Sequence, residues 1–424
     1  MKQTRREPVP LGAVVRQAQY GLSVRGQRVG KTPILRMNCQ ERGRVIFRDL
    51  QYVDLDERTL KAHLLERGDI LFNRTNSFEL VGRTAFYDSD ISAVFASYLV
   101  RLKLDRNRVD PAYLTYYLNW SPTQRRLKTL ASRGVSQANI SASKLKDFEV
   151  SLPPIEEQRA AAAVMSKLQE ALDVQTRIVA TLKELKAATM SKIFREGFRG
   201  EPLKQTEIGA IPESWSVTPL GTLLAEPLRN GHSAVASHSS DAIPTLTLTA
   251  VTKRRFTREN VKMTAADPEV VADLWLRDGD IFVERANTRE MVGLAALYRG
   301  TSDFAIFPDL LIRVRVDERQ IVPELLLEWL LSPATRQYYQ SRCGGAATSM
   351  LKIDQQAVSE TLIVVPSLSE QEEIRTTISS LDHSVEVAEI RVQLLTELFD
   401  TALTGLMSGA MNVEALENRT TLSG

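Results

Sequence analysis

The chain contains two copies of one sequence unit, and this duplication constrains its fold more than any other feature. Residues 68–82 (GDILFNRTNSFELVG) return 211 positions later at residues 279–293 (GDIFVERANTREMVG), with 8 of 15 residues identical and no gap. Unrelated chains of ordinary composition share about one residue over such a length. The similarity extends from Pro-Leu-Gly at 10–12 and 219–221 to the segments 153–158 and 366–371. A unit of roughly 200 residues predicts a duplicated, pseudo-twofold molecule, because solenoid repeats are only about 20 to 50 residues long.

Length and composition predict a globular protein of two to four domains. The chain has 424 residues, of which 43% are hydrophobic, which is enough for several cores. It has no apolar run of the length that a membrane span needs, and the segment MKQTRREPVP lacks the apolar core of a signal peptide. We therefore expect a cytoplasmic protein. Cys39 and Cys343, one in each half, are predicted to be small buried residues rather than a disulfide or metal ligands.

The net charge of +2 conceals a strong asymmetry along the chain. Residues 1–154 contain 26 Lys and Arg against 15 Asp and Glu, a net charge of +11, whereas residues 210–366 have −3 and residues 367–424 have −7. An arginine-rich segment of this kind predicts a polyanionic partner, because Lys and Arg make most contacts to phosphates. A basic surface that only keeps the protein in solution is the alternative.

Each copy of the unit consists of a mixed segment followed by a helical one. Short apolar runs bounded by turn residues predict strands at 70–72, 81–87 and 95–104, and again at 281–283, 292–298 and 310–316. Prolines introduce apolar stretches with helical spacing at 111–120 and 323–331. The pattern predicts two α/β domains.

The helical segments have the spacing of a coiled-coil seam. From Ile374 to Leu406, apolar residues alternate at intervals of four and three, and the same seam runs from Ala161 to Ile193 with polar interruptions that include Lys186. About 40 residues at 1.5 Å each give a rod of roughly 60 Å. Ser369 followed by Glu372 predicts a capping box at the start of the second helix. The two helices match in length and are predicted to pack against each other.

The sequence contains none of the common catalytic or cofactor motifs. It has no GxxxxGK[ST] loop, no GxGxxG after a strand, no HExxH and no Asn/Asp-Pro-Pro-aromatic tetrapeptide of the kind found in amino-methyltransferases that act on bases. Of the four histidines, only His232 and His238 are close in sequence, and no cysteine or carboxylate cluster accompanies them. We therefore expect a protein that is not an enzyme by itself and that holds no metal.

These features together resemble the specificity (S) subunits of type I restriction-modification systems. In each copy, a Leu-Gly turn (11–12 and 220–221) precedes the Gly-Asp-Ile and Val-Gly block, and a Pro-x-x-x-Glu-Gln motif then opens a long helix. The resemblance implies an α/β fold with two target-recognition domains separated by two long helices packed as an antiparallel coiled coil. The implied segments are 1–152 and 199–365 for the recognition domains with the linker, 153–198 and 366–412 for the helices, and 413–424 for a tail.

The resemblance also implies a function. Each recognition domain would read one half of a bipartite, asymmetric double-stranded DNA target. The helices would set the spacer and dock two methyltransferase subunits, which bind S-adenosylmethionine, and restriction/translocase subunits can join. This chain would hold no cofactor. A stand-alone two-headed DNA-binding regulator is the alternative, and a purely structural coiled-coil adaptor is a third interpretation.

Polar residues in the turns between strands are the candidates for DNA contacts. Arginine suits guanine, and Asn or Gln suits adenine, in the major groove, while the run 253–255 is a candidate phosphate contact. The alternative to a DNA contact is a purely structural role in a hairpin turn. This alternative applies above all to the Arg and Asn residues that both copies share, because shared residues cannot distinguish two different half-sites. The candidates in the first copy are Tyr20, Ser23, Arg25, Arg36, Arg74, Asn76, Ser136 and Gln137. Those in the second copy are Arg229, Asn230, His232, Lys253, Arg254, Arg255, Arg285, Asn287, Thr348 and Ser349.

Overall fold

A computed structural model describes residues 8–134, 137–344 and 350–411. The chain divides into two compact units: unit 1 comprises Met1–Thr176 with Ile390–Gly424, and unit 2 comprises Arg177–Glu389. Both boundaries fall inside long helices. The predicted division into five sequence segments stays a prediction. Across the described residues, no helix is long and apolar enough to cross a membrane.

Unit 1 is an α/β domain. Its helices are α1 (Glu57–His63), α2 (Pro111–Asn119), α3 (Ser121–Thr129), α4 (Ala142–Lys146), the first part of α5 (Ile155–Glu196) and the last part of α10 (Leu368–Ser408). Its strands are β1 (Pro8–Pro10), β2 (Val15–Tyr20), β3 (Thr32–Leu35), β4 (Gln40–Glu41), β5 (Arg44–Val45), β6 (Gln51–Val53), β7 (Ile70–Asn73), β8 (Thr75–Asn76), β9 (Thr84–Phe86), β10 (Val94–Phe95), β11 (Leu99–Leu104), β12 (Ser132–Arg133), β13 (Ala138–Asn139) and β14 (Glu149–Ser151).

The main sheet of unit 1 is covered on both faces. Its strand order is β2-β11-β7-β9-β5-β4, and β11 lies antiparallel to both β2 and β7. Ile70 and Phe72 of β7 pack into one core with residues of α2 and α3. Leu71, on the opposite face, packs with Phe95 and Leu99. Burial on both faces explains why these strands are continuous apolar runs rather than alternating ones.

Unit 2 has the same class of architecture. Its helices are α6 (Leu248–Thr252), α7 (Pro323–Leu330), α8 (Pro333–Arg342), α9 (Gln355–Ser359) and the first part of α10 (Leu368–Ser408), together with the end of α5. Its strands are β15 (Leu203–Thr206), β16 (Gly209–Pro212), β17 (Ser216–Pro219), β18 (Arg229–Asn230), β19 (Ile243–Leu246), β20 (Val261–Thr264), β21 (Ile281–Glu284), β22 (Ala286–Asn287), β23 (Ala295–Leu297), β24 (Leu311–Val314), β25 (Leu351–Lys352) and β26 (Leu362–Val365).

The duplication is visible in the strand order. The sheet of unit 2 runs β18-β24-β21-β23, which matches the order β2-β11-β7-β9 of unit 1. The register also agrees, because Ile70 pairs with Phe86 and Ile281 pairs with Leu297, each position displaced by 211 residues. The predicted α/β fold with an internal repeat is confirmed.

The repeated Gly-Asp block is a tight turn that starts the central strand. Gly68 and Gly279 both have φ of +88°, a conformation that favours glycine. The next carboxylate turns inward in each copy: Asp69 accepts a bond of 3.0 Å from the Glu66 amide, and Asp280 accepts one of 2.8 Å from the amide three residues before it. Burial raises the pKa of Asp69 above its usual range. Both copies therefore contain the block because it forms the turn that starts the central strand.

The long helices α5 and α10 have 42 and 41 residues, and each unit contains one half of both. In unit 1, Met165 of α5 and Ala402 of α10 belong to the same core. In unit 2, the Lys183 ammonium lies 2.7 Å from the carboxylate of Glu389, and that of Lys186 lies 2.5 Å from the carboxylate of Asp382. The residue numbers rise on one helix as they fall on the other, so the helices run antiparallel there. The predicted coiled-coil seam is confirmed.

The predicted capping box at Ser369 and Glu372 is wrong. Helix α10 already begins at Leu368, and it is the Ser367 hydroxyl that accepts a bond of 3.3 Å from the Glu370 amide. The Glu370 carboxylate does not cap the helix. It accepts a bond of 2.9 Å from the indole nitrogen of Trp215 instead. The local pattern fits both serines, because a glutamate lies three residues after Ser367 and three residues after Ser369.

The cysteine prediction holds for one residue of the two. Both thiols are free; Cys39 is buried and Cys343 is half-buried. Cys343 directly follows α8 and packs against the core of unit 2 while staying partly exposed, so its prediction as a buried residue is wrong. Burial raises the pKa of the Cys39 thiol, which keeps it in the less reactive, protonated form.

The Glu-Gln motif fastens the start of each long helix to the rest of its unit. In unit 1 the fully buried Gln158 donates to the carbonyls of Pro153 (2.8 Å) and Arg108 (3.1 Å) and accepts from the Asp110 amide (3.0 Å). These bonds connect the first turn of α5 with the loop that leads into α2. The motif is therefore repeated for a structural reason.

We expect Gln371→Leu to destabilise unit 2 by at least about 3 kcal/mol. Gln371 makes the same three bonds, to the carbonyls of Pro366 and Gln320 and from the Val322 amide, and each buried polar group left without a partner costs about 1–3 kcal/mol. Gln356→Leu is the matched control, because Gln356 is exposed and surface changes usually stay within about 0.5 kcal/mol. Urea unfolding followed by tryptophan fluorescence measures both, and equal midpoints for the two variants would contradict the structural role.

Candidate nucleic-acid interface

In unit 1, three of the predicted loops meet at one end of the main sheet. The guanidinium carbon of Arg74 lies 4.7 Å from the centre of the Tyr20 ring, at the end of β2. Arg74 also donates to Asn139 Oδ1 at 3.3 Å. Strand β8 pairs with β13, which directly follows Gln137. We call residues 20–25, 74–78, Tyr98 and Gln137 the loop surface of unit 1.

The residues of this surface differ in how free they are to bind. Ser23, Arg25 and Gln137 are exposed, so their side chains can reach a ligand directly. Tyr20 is 45% exposed and its hydroxyl accepts a bond of 3.1 Å from the first amide of α4. Arg36 is half-buried and donates to the Asp49 carbonyl at 3.0 Å. Ser136 lies outside the described residues.

Unit 2 brings together a corresponding set, and we call residues 229–232 and 285–289 the loop surface of unit 2. Arg285 donates to the Asp309 carbonyl at 3.4 Å, and Asn230 accepts a bond of 3.1 Å from Gln355. Strand β22, which contains Asn287, pairs with β25. His232 is half-buried in the same turn, where its amide donates to the Phe307 carbonyl at 3.0 Å. The candidates Thr348 and Ser349 lie outside the described residues.

The remaining basic candidates of unit 2 are partly neutralised. Arg229 donates through Nε to the Asp273 carboxylate at 2.9 Å. Lys253, Arg254 and Arg255 are exposed beyond the end of α6, and the Arg255 guanidinium lies 3.9 Å from the carboxylate of Glu389 on α10. Their contact with DNA stays a prediction, and at Arg229 a phosphate would compete with a carboxylate that is already in place.

The residues that both copies share have clear structural roles. Asn76 and Asn287 each accept a bond of 2.8 Å from the amide of the following residue, which holds the side chain against the turn after its strand. Asn287 also donates at 2.7 Å to Glu284, whose pKa is raised by burial. These contacts favour the turn interpretation for the shared residues. The DNA contacts of Arg74, Asn76, Arg285 and Asn287 stay predictions.

Sequence reasoning missed two exposed aromatic residues of the loop surface. Phe78 is 37% exposed and Tyr98 is 42% exposed. The guanidinium carbon of Arg133 lies 3.9 Å from the centre of the Phe78 ring, and the Tyr98 carbonyl accepts a bond of 3.0 Å from the Arg74 amide. One signal was available in the sequence: Phe78 lies inside the repeated block but is replaced by Arg289 in the second copy.

The loop surfaces offer binding chemistry. Both have hydrogen-bond donors and acceptors, the groups that contact phosphates and base edges, and that of unit 1 also has exposed rings. Among the residues that the structure describes, no group of three or more His, Cys, Asp or Glu side chains is arranged to hold a metal ion.

The fold and the loop surfaces define a duplicated α/β protein with two continuous long helices. Residues 26–184 match the family model described as Type I restriction modification DNA specificity domain. Over 192 residues the chain is 32% identical to the putative type I restriction enzyme MjaX specificity subunit of Methanocaldococcus jannaschii. This match covers 45% of the chain and 45% of that relative, so it spans less than half the length of either.

Solved structures extend the likeness over nearly the whole chain. The S subunit of the type I restriction-modification system of M. genitalium superposes with a TM-score of 0.60 at 16% identity, covering 94% of this chain and 95% of that one. A chain solved in work on complex assembly and conformational transition of the type I R-M system gives a TM-score of 0.54 at 15% identity, with 95% and 97% covered. The chain therefore has the fold of these S subunits, and residues 26–184 are similar to the specificity domain of type I restriction-modification systems. The resemblance predicted from the duplicated motifs is confirmed.

Proposed function

We propose that the chain is the DNA sequence-recognition subunit of a type I restriction-modification complex. Each unit reads one half of a bipartite, asymmetric duplex target. The observation that supports this most strongly is the pair of loop surfaces, which share one scaffold but expose different residues, as at Phe78 and Arg289. Two different sets of exposed side chains on one fold suit two different half-sites, because base edges are read by individual side chains.

The long helices supply the second part of the proposed function. Helices α5 and α10 are continuous across the boundary between the units, so their length sets the number of unread base pairs. Their exposed faces dock two methyltransferase subunits, which bind S-adenosylmethionine and methylate adenine, and restriction/translocase subunits can join. The chain acts in the cytoplasm. It selects the DNA sequence that is methylated and contributes no catalytic residue. A stand-alone regulator is less favoured, because the chain has the fold of subunits that assemble into complexes.

The purified chain is expected to transfer no methyl group from S-adenosylmethionine to DNA by itself. When it is isolated through a tag together with its bound methyltransferase subunits, the complex is expected to methylate adenine in a target of two specified parts. Radiolabelled methyl transfer and sequencing of the methylated adenines measure this outcome. Methylation by the chain alone, or a target consisting of one uninterrupted sequence, would refute the proposal.

A further inference from the structure

Unit 1 has a group of basic residues beside its loop surface that the sequence analysis did not single out. They lie on α3, on β12 and on α4, and all but the half-buried Lys128 are exposed. We call them the basic face. Its members are Arg125, Arg126, Lys128, Arg133 and Lys144.

The basic face is held in place by neutral groups rather than by carboxylates. Arg126 donates to the Glu149 carbonyl at 2.9 Å, Lys128 to the Glu79 carbonyl at 3.0 Å and Lys144 to the Leu130 carbonyl at 3.1 Å. Within the described part of the chain, no ion pair is present for any of the five residues. Hydrogen bonds to carbonyl groups therefore hold three of these side chains in place, and no carboxylate of the described residues pairs with any of the five.

Three contacts connect the basic face with the loop surface. Arg133 stacks on Phe78, and the Lys128 ammonium lies 5.9 Å from the centre of the same ring. Helix α4, which carries Lys144, begins at the amide that donates to the Tyr20 hydroxyl. If a DNA duplex binds at the loop surface, its sugar-phosphate backbone therefore extends toward the basic face.

Unit 2 provides an internal comparison. Buried Thr123 and Leu127 of α3 correspond to buried Thr335 and Tyr339 of α8, each 212 positions later. The counterparts of Arg125, Arg126 and Lys128 are then Gln337, Tyr338 and Gln340. The counterpart of Lys144 is Ala357, because each contributes the amide that donates to the N-cap residue of its helix. These four positions therefore carry no positive charge in unit 2. Helix α8 has arginines at other positions, of which Arg336 donates to the Val292 and Glu290 carbonyls and Arg342 lies 3.7 Å from the Glu360 carboxylate.

We propose that the basic face binds the phosphates that flank the half-site read by unit 1, and that unit 2 lacks this flanking contact. This inference rests on the proposed function and adds an asymmetry to it. Phosphate contacts fix position without reading sequence. The basic face therefore strengthens binding at all sequences alike, whereas the loop surface provides the preference for the target.

The test compares two matched pairs of substitutions in the complete complex. Arg125→Gln with Lys128→Gln installs the residues that unit 2 has at these positions. Arg106→Gln with Arg108→Gln removes the same charge from exposed arginines that also contact backbone carbonyls, but near the opposite end of β11. Fluorescence anisotropy at several salt concentrations measures binding to a target duplex and to a random duplex.

The first variant is expected to lower the slope of log affinity against log salt by about 1.8, since each phosphate contact contributes about 0.9. Its preference for the target over the random duplex should stay unchanged, and the control slope should equal that of wild type. The reverse variant, Gln337→Arg with Gln340→Lys, should steepen the slope.

Three results would overturn the inference. An unchanged slope in the first variant, or an equal decrease in the control, shows that the basic face does not bind DNA. Loss of a protein subunit from the first variant, measured by native mass spectrometry, shows that the face docks a protein instead. Absence of any target preference in the wild-type complex refutes the proposed function itself, which separates that failure from failure of this inference.

Discussion

Replacing residues 1–152 with the corresponding segment of another specificity subunit is expected to change one half of the methylated target completely and to leave the other half intact. The segment keeps β1 with its antiparallel partner β14, so the small sheet that closes unit 1 is transferred whole. Gln158, which fastens α5 to the loop before α2, remains in the recipient. Its three partners are backbone groups, which tolerate a change of side chain.

Sequencing of methylated adenines in a strain that carries only the exchanged chain measures the result. The reciprocal exchange of residues 210–365 is the control and is expected to change the other half alone. A change in both halves after either exchange would show that the two units do not read DNA independently. Loss of all methylation would be traced to folding or assembly by isolating the complex.

Much of the fold could be predicted because its signals are local and occur twice. Apolar runs at 70–72 and 281–283 gave the central strands, and the interval of four and three residues gave both long helices. The small sheets could not be predicted in this way, since β8 and β13 are two-residue strands with no periodicity to detect. The start of α10 was misplaced by two residues, because Ser367 and Ser369 both satisfy the local capping pattern and only tertiary context selects the first.

The candidate site was predicted less well than the fold. The sequence identified loops that do converge, such as those of Tyr20, Arg74 and Gln137. It could not show that the shared Arg and Asn residues already have partners within the protein, as Asn287 does in Glu284. Phe78 and the basic face depend on contacts between segments about 50 residues apart, which a single sequence does not reveal.

Inserting one heptad after Thr176 in α5, with a matching heptad after Glu389 in α10, is expected to lengthen the unread spacer of the target by about three base pairs. Seven residues add about 10.5 Å to a helix, and successive base pairs are about 3.4 Å apart. Both insertions fall at the boundary between the units, so neither loop surface is altered. An insertion in α5 alone is the control and should abolish methylation, because it breaks the register of the seam.

The most direct test of the central claim is the methylated target of the strain with both insertions. The claim is that two independent units read two half-sites at a distance set by the helices. It predicts two half-sites identical to those of wild type with a longer spacer between them. An altered base in either half-site, or an unchanged spacer in a complex that still methylates DNA, would contradict it.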